Sequence, residues 1–263
     1  MERDVWVEGA AYEKYMGRWS APVAAAFVEQ LGVPAGRRWL DVGCGTGVLT
    51  AAVVAAADPH DVTGLDPSPG FVARARRQVD RARFTVGSAT ALPFPHGRFD
   101  ATVGGLMLNF VPEPTVAVAE LTRVTAPGGV VAAYVWDYAG GMGMLRSFWD
   151  AVVRLDPTAA ALDEGTRFPL CRPEPLRALW TGTGMEEVAV GEIEVPVVFA
   201  DFDDYWLPFL GGQGPAPTYV ASLDDARRAA LRDMLAERLP TADDGSIPLR
   251  ARAWTVRGTT RER

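Results

Sequence analysis

Residues 40–47 read Leu40-Asp41-Val42-Gly43-Cys44-Gly45-Thr46-Gly47, and this stretch determines how the rest of the 263-residue chain is interpreted. The apolar segment 38–42 leads into the glycines, and the Ala- and Val-rich segment 46–57 follows them. Because glycine has no side chain, backbone amides and the N-terminus of a following helix approach a ligand closely at such a turn. The stretch therefore predicts a strand, a ligand-binding turn and a helix, in that order.

The same alternation of strand and helix patterns continues along the chain. Further apolar segments predict strands at 62–66, 82–86, 99–103 and 130–135, and Pro114 to Val124 has the pattern of a helix. Strands that are apolar along their whole length are covered by helices on both faces. The pattern is typical of an α/β protein with a Rossmann-like, doubly wound, mostly parallel sheet.

The pattern changes in the C-terminal half. It predicts helices at 144–155 and 174–181 and strands at 187–198 and 249–256, and an insertion separates these two strands. We expect a seven-stranded sheet with an antiparallel last strand, and a helical cap, at about 200–245, inserted before that strand. The chain is interpreted as one domain, 1–263, with leading helices in 1–36.

Composition excludes several classes of function. A net charge of −7 and a pI of about 5.0 lack the basic surface that nucleic-acid partners require. The sequence contains no basic leader followed by an apolar run and no uncharged stretch long enough to span a bilayer, so we expect a cytoplasmic protein with no membrane contact. Two cysteines and two histidines predict neither a disulfide framework nor a metal site. A monomer or homodimer is expected.

Two acids accompany the glycine turn and bear on the choice of ligand. Asp66 ends the second predicted strand, roughly 20 residues beyond the turn, where a carboxylate binds ribose hydroxyls. The spacing G-x-G-x-G departs from the dinucleotide pattern G-x-G-x-x-G, and Asp41 would repel a pyrophosphate and favour a cationic ligand. The alternative is that the glycines only permit a tight turn between strand and helix.

Over residues 12–137 the chain resembles the class I S-adenosylmethionine-dependent methyltransferases, in the branch that includes the quinone-biosynthesis C-methyltransferases. The resemblance rests on residues 40–47, on Asp66 and on the turn Pro127-Gly128-Gly129. It implies S-adenosylmethionine as cofactor, with the turn at its methionine part, Asp66 at the ribose, the pair after the third strand at the adenine, and the loop after the fourth strand beside it. The implied cofactor-binding residues are Tyr15, Arg18, Asp41, Gly43, Cys44, Gly45, Gly47, Asp66, Pro67, Ser88, Ala89, Leu106 and Asn109.

The chain departs from these relatives at two positions. Many of them carry aspartate where Ser88 stands and histidine where Asn109 stands. Serine still accepts a hydrogen bond from an adenine amino group, although more weakly. No role of the relatives' histidine transfers to this chain.

The residues that would handle the methyl acceptor are less defined. Asp137, after the fifth strand, either orients or deprotonates a substrate or braces its turn. Trp136 lies at the same edge. Phe202, Tyr205, Trp206 and Phe209 form one aromatic helical face, which either belongs to the core or, on the glycine hinge 211–214, to a substrate lid.

The leading hypothesis is transfer of a methyl group by in-line displacement to oxygen, nitrogen or carbon of a small, apolar or aromatic molecule, as in natural-product biosynthesis. Such a displacement requires alignment in a dry pocket more than a general base. Two alternatives remain open. One is a non-methylating reaction such as cyclisation on the same fold, and the other is a non-catalytic binding module.

Overall fold

Five residues, Arg38–Val42, form the strand β1, an inner strand of a seven-stranded sheet. The computed structural model describes residues 17–211 and 214–262. The sheet order is β3-β2-β1-β4-β5-β7-β6, with six parallel strands and an antiparallel last strand, as predicted. The strands are β1 Arg38–Val42, β2 Asp61–Asp66, β3 Arg83–Val86, β4 Phe99–Gly105, β5 Thr125–Trp136, β6 Glu186–Phe199 and β7 Ile247–Thr259.

Helices separate the first five strands, except β3 from β4, and further helices lie between β5 and β6. The segment between β6 and β7 is also helical and is the predicted insertion. The α-helices are α1 Arg18–Leu31, α2 Val48–Ala56, α3 Pro69–Gln78, α4 Pro114–Val124, α5 Gly143–Leu155, α6 Glu164–Arg167, α7 Pro173–Gly182, α8 Phe202–Trp206, α9 Pro215–Ser222 and α10 Asp225–Arg238. Short 3-10 helices span Leu108–Phe110, Pro157–Leu162 and Leu207–Gly211.

Helices cover both faces of the sheet, which explains the continuously apolar strands. On one face the side chains of Val131 and Val135 join a buried cluster with Leu121 of α4 and Trp180 of α7. On the other face the ring of Phe27 in α1 packs 4.7 Å from the ring of Tyr134.

The start of β5 differs from the sequence prediction, which placed the strand at 130–135 after a terminating turn. The strand begins at Thr125, whose hydroxyl donates to Leu121 O over 2.7 Å, directly after α4. Gly128 takes a φ of +70°, and Gly129 O accepts a bond from the amide of Thr260 at 2.9 Å. The turn is therefore drawn into the sheet because the segment after β7 supplies backbone partners.

The chain divides into two compact units. One contains Ser20–Val135, Leu170–Ile193 and residues 253–262, and it holds β1 to β4 and all of β5 except Trp136. The other contains residues 17–19, Trp136–Pro169 and Glu194–Arg252. In the second of these an aromatic cluster forms the interior, where the rings of Phe148 and Phe209 stack at 4.5 Å. The single domain, 1–263, stays a prediction.

Candidate cofactor site and acceptor residues

The carboxylate of Asp41 lies near the carboxyl end of β1 and is 1% exposed. The hydroxyl of Thr50, in α2, donates to Asp41 Oδ2 over 2.6 Å. The other oxygen, Oδ1, is buried and has no hydrogen-bond partner among the described residues. Burial raises the pKa of Asp41 to about 7, against the lowering effect of the bond from Thr50. Such a buried acceptor without a donor suits a ligand that is cationic or donates hydrogen bonds.

The glycine turn after β1 is fixed to the end of β2 by its own backbone. The amides of Gly43 and Cys44 both donate to Leu65 O, at 2.7 and 3.0 Å. The amide of Gly45 donates to Asp66 Oδ2 at 2.9 Å. The turn is thus preorganised and needs no ligand to hold it.

Two glycines of the turn have different reasons for lacking a side chain. A Cβ on Gly43 would lie 2.6 Å from Met107 Cβ, so this glycine is required by packing. A Cβ on Gly45 would meet no atom within 4 Å. Both have positive φ, +70° and +53°. Open space at Gly45, beside Asp66, is where the turn can admit a ligand.

Asp66 ends β2 and is 6% exposed. Besides the bond from Gly45, its Oδ1 accepts the amide of Ser68 at 2.8 Å. Burial raises the pKa of Asp66. Each carboxylate oxygen has two lone pairs, so both oxygens can still accept a hydroxyl hydrogen. Pro67 follows as an exposed residue before α3.

Ser88 and Ala89 follow β3. The hydroxyl of Ser88 is exposed, lies 2.8 Å from the hydroxyl of Thr90 and accepts the Thr90 amide at 3.2 Å. Ala89 is half-buried against the apolar cluster of the sheet. The local turn thus fixes the serine oxygen, and its role at an adenine stays a prediction.

The loop after β4 combines strain with an unpartnered side chain. Leu106 has a φ of +59°, which a non-glycine residue adopts at a cost, and its amide donates to Tyr134 O at 2.8 Å. Met107 fills the space that Gly43 leaves. Within the described chain, the buried Oδ1 of Asn109 accepts no hydrogen bond. Strain and unmet acceptors are features that accompany ligand sites.

Cys44 contributes only its backbone to the turn. Its side chain is 6% exposed, and burial raises the pKa of the thiol, so it stays protonated. The thiol packs with Val72, Ala75 and Phe84. Cys44 therefore has the environment of a structural cysteine.

Arg18 forms a contact that the sequence did not indicate. Its guanidinium binds the carboxylate of Asp204 through two hydrogen bonds, of 2.9 and 3.2 Å, and lies 5.1 Å from the ring of Phe199. The predicted role of Arg18 at a methionine carboxylate remains a prediction. Tyr15, its predicted neighbour at the cofactor, lies outside the described residues.

Asp137 is bound by its own turn, as in the bracing alternative. The carboxylate is 2% exposed, its Oδ2 accepts two bonds from Arg252 at 2.7 and 2.9 Å, and its Oδ1 accepts the amide of Gly140 at 3.0 Å. Trp136 precedes it and is 1% exposed. This geometry favours a structural role for Asp137.

The aromatic face predicted at 202–209 is largely buried. Tyr205 and Phe209 are fully buried and Trp206 is 5% exposed, and the Tyr205 hydroxyl donates to Met144 O at 3.0 Å. The face is not one α-helix, because α8 ends at Trp206 and a 3-10 helix continues from Leu207. These contacts favour core packing. Residues 212–213 of the predicted hinge lie outside the described residues.

Comparison with known proteins shows what the segment that carries this site is similar to. Residues 40–133 match the family model for a methyltransferase domain. The 2-methyl-6-phytyl-1,4-hydroquinone methyltransferase of Synechocystis sp. is 29% identical over 237 residues, which cover 80% of this chain and 73% of that protein. The demethylmenaquinone methyltransferase of Beutenbergia cavernae is 40% identical over 111 residues, covering 41% of this chain and 45% of that protein. The chain therefore spans less than half the length of the second relative.

A solved structure agrees at the level of the fold. The phosphoethanolamine N-methyltransferase 2 of Haemonchus contortus, in complex with S-adenosyl-L-methionine, superposes with a TM-score of 0.58 at 17% identity. The match covers 96% of this chain and 56% of that protein.

The sheet order, the glycine turn after β1 and the buried acid ending β2 define a Rossmann-like α/β protein built to bind a nucleoside-containing cofactor. With the match of residues 40–133 to a methyltransferase domain and the similarity to the hydroquinone methyltransferase, these features resemble those of the class I S-adenosylmethionine-dependent methyltransferases. S-adenosylmethionine is the cofactor of this family. No helix in the described part of the chain is both long and apolar enough to cross a membrane.

Proposed function

We propose that this chain transfers the methyl group of S-adenosylmethionine to a small, flat acceptor of the phenol or hydroquinone type. The observation that carries the proposal is the buried Asp41 Oδ1 without a donor, close in sequence to a glycine turn that is open at Gly45. An ammonium or sulfonium group satisfies that oxygen, whereas a pyrophosphate does not.

The residues present fit the cofactor. Asp41 offers an acceptor to its cationic end, and Asp66 offers two oxygens to ribose hydroxyls. When bound, S-adenosylmethionine supplies an electrophilic methyl group on a good leaving group. Leu106 and Asn109, in the strained loop, would complete the binding surface. The glycine turn contributes rigidity, because Leu65 O already holds its amides.

The chain offers weak candidates for a general base. His60 and His96 are exposed and precede β2 and β4, away from the carboxyl ends of the strands. Asp137 is engaged by Arg252. Alignment of the acceptor and exclusion of water are therefore the main contributions of the protein to catalysis.

The choice of acceptor rests on chemistry shared with the relatives. The Synechocystis relative is named for a hydroquinone and matches 80% of this chain. A net charge of −7 disfavours nucleic acid and other polyanionic acceptors. A hydroquinone ring is flat, largely apolar and nucleophilic at both oxygen and carbon.

Transfer of label from methyl-labelled S-adenosylmethionine tests the proposal. The protein is incubated without oxygen with a panel of phenols and hydroquinones, and labelled products are separated by chromatography. We expect label in at least one acceptor with the wild-type chain and none with Asp66→Ala. Conversion of an acceptor without label would instead indicate a non-methylating reaction. Binding without conversion across the panel would count against the proposed acceptor class.

A further inference from the structure

One face of the sheet at β2 and β3 is covered by a loop instead of a helix. The described chain passes from β3 to β4 without a helix, through the loop 87–98. On the opposite face, Val72 and Ala75 of α3 form an apolar cluster with Phe84 of β3. Beside the loop lies a groove of about 400 Å³, which is within the size range of small-molecule sites. Every residue that lines this groove belongs to the unit that contains Ser20–Val135.

Polar side chains from neighbouring strands line the groove. Thr63 of β2 pairs in register with Arg83 of β3, so their side chains lie on the same face of the sheet. Thr85, two residues after Arg83, lies on that face as well. Arg98, directly before β4, completes the polar lining. Hydroxyl and guanidinium groups all donate hydrogen bonds, so the groove is rich in donors.

The two arginines of the groove share a single carboxylate. Both donate through Nη2 to the same oxygen, Oδ2 of Asp61, with Arg98 at 3.2 Å. Each guanidinium has further N–H donors, and two cations on one anion leave a net positive charge. The guanidinium of Arg98 lies 5.3 Å from the ring centre of Phe99, which supports it from one side. Residues 74–98 contain six arginines and one acid, although the whole chain has a net charge of −7. The groove therefore attracts anions.

The loop 87–98 adds an aromatic wall that α4 holds in place. Arg123 of α4 donates to Leu92 O at 2.9 Å and to Phe94 O at 2.8 Å. The half-buried ring of Phe94 packs edge-to-face on the ring of Phe99, with the ring centres 5.0 Å apart. Phe94 also lines the groove, so it offers an apolar surface beside the two guanidiniums. A wall fixed in this way is in position before a ligand arrives.

We propose that this groove is a second ligand site, which binds a phosphate monoester attached to an aromatic ring. The phosphate lies on Arg83 and Arg98, and the ring lies against Phe94. A phosphate monoester presents several acceptor oxygens and close to two negative charges, and planar guanidiniums bind such a group through paired hydrogen bonds. The residues that line the groove are different from those predicted to bind the cofactor. The inference therefore goes beyond the proposed function and does not depend on it.

Titration calorimetry with 1-naphthyl phosphate at low ionic strength tests the site. We expect saturable binding to the wild-type chain, and inorganic phosphate should compete with it. Arg83→Gln should weaken binding at least about tenfold, because charge-assisted hydrogen bonds are lost. Arg98→Gln should have the same effect and is the second variant. Arg77→Gln removes the same charge from an exposed position on α3 outside the groove, and this matched control should bind within about twofold of wild type.

Phe94→Leu separates the aromatic wall from the charged groups. It should weaken 1-naphthyl phosphate at least about threefold and leave competition by inorganic phosphate unchanged. Absence of saturable binding to the wild-type chain would overturn the inference. An equal loss in Arg77→Gln and Arg83→Gln would also overturn it, because the ligand would then respond only to a diffuse positive surface. Unchanged affinity in Phe94→Leu would refute the aromatic part of the ligand. Thermal unfolding of each variant verifies that it is folded, and the test uses no S-adenosylmethionine.

Discussion

Replacing Asp41 by asparagine should make the protein more stable and, at the same time, weaken its binding of S-adenosylmethionine. The carboxylate is 1% exposed, and burial raises its pKa from an ordinary value of 3.8 to about 7. Between these values the folded protein holds a proton that the unfolded chain releases. The free energy of unfolding of the wild type therefore decreases as the pH rises from about 4 to about 7 and levels off above it.

The size of the effect follows from the same pKa. The difference between a pKa of 3.8 and one of about 7 corresponds to at most about 4 kcal/mol in the free energy of unfolding. Asp41→Asn keeps an acceptor for the Thr50 hydroxyl and removes the buried charge. At pH 8 we expect a gain of about 2 kcal/mol in the free energy of unfolding, which raises Tm by roughly 4–8 °C. At pH 4 the two proteins should be equally stable.

Cofactor binding should change in the opposite direction. Wild-type affinity for S-adenosylmethionine rises between pH 6 and pH 8, because the cation requires the ionised carboxylate, whereas affinity in Asp41→Asn is at least about tenfold lower and independent of this ionisation. Thermal unfolding across pH 4–8 and titration calorimetry measure both quantities. A variant that is less stable than wild type at pH 8, or that binds S-adenosylmethionine equally well, would refute the reasoning.

Three further substitutions separate binding from folding. Asp66→Ala removes the acceptor of the Gly45 and Ser68 amides and the expected ribose partner, so S-adenosylmethionine affinity should fall at least about 100-fold by calorimetry; a loss below tenfold contradicts this role. Gly43→Ala forces a methyl group against Met107 and should lower the free energy of unfolding in urea by about 3 kcal/mol. Gly45→Ala places its methyl group in open space, so it should lower the free energy of unfolding by only about 1 kcal/mol but weaken binding of S-adenosylmethionine more than tenfold. The reverse order of stabilities would be inconsistent with the turn as described. Asp137→Asn removes the anion that Arg252 binds and should cost about 2 kcal/mol while methyl transfer keeps its pH profile; loss of the low-pH limb of that profile would restore Asp137 as a base.

The parallel half of the fold was predictable because its signals are local. β1, the glycine turn and the helix Pro114–Val124 follow from apolar runs and glycine spacing over a few residues. The start of β5 was misplaced because a pairing with Thr260, more than a hundred residues away, draws the glycines into the sheet. The short helices α6, α8 and α9 have too few residues to show a clear period.

Half of the candidate site was predictable for the same reason. Asp41 and Gly45 belong to one contiguous motif, and Asp66 follows it at the end of the next strand. The partners that set their properties were missed: Thr50 bonds the carboxylate of Asp41, and Met107 explains the need for Gly43. These contacts depend on side-chain packing in three dimensions, which no spacing in the sequence encodes.

Two ion pairs between residues far apart in the chain show most clearly what the sequence alone does not indicate. Arg18 and Asp204 are 186 residues apart, and Asp137 and Arg252 are 115 apart. The sequence assigned Arg18 to a ligand and left Asp137 open between a substrate and its own turn, because no local pattern indicates the second member of either pair. The cytoplasmic location, the oligomeric state and the lid at 200–215 stay predictions.

Titration of S-adenosylmethionine into the purified wild-type chain at pH 8 tests the central claim most directly. Calorimetry should show one site per chain with a dissociation constant in the micromolar range, competed by S-adenosylhomocysteine and weakened in Asp66→Ala. Absence of binding heat, together with no shift in Tm at saturating cofactor, would contradict the assignment of the turn and Asp66 as a cofactor site.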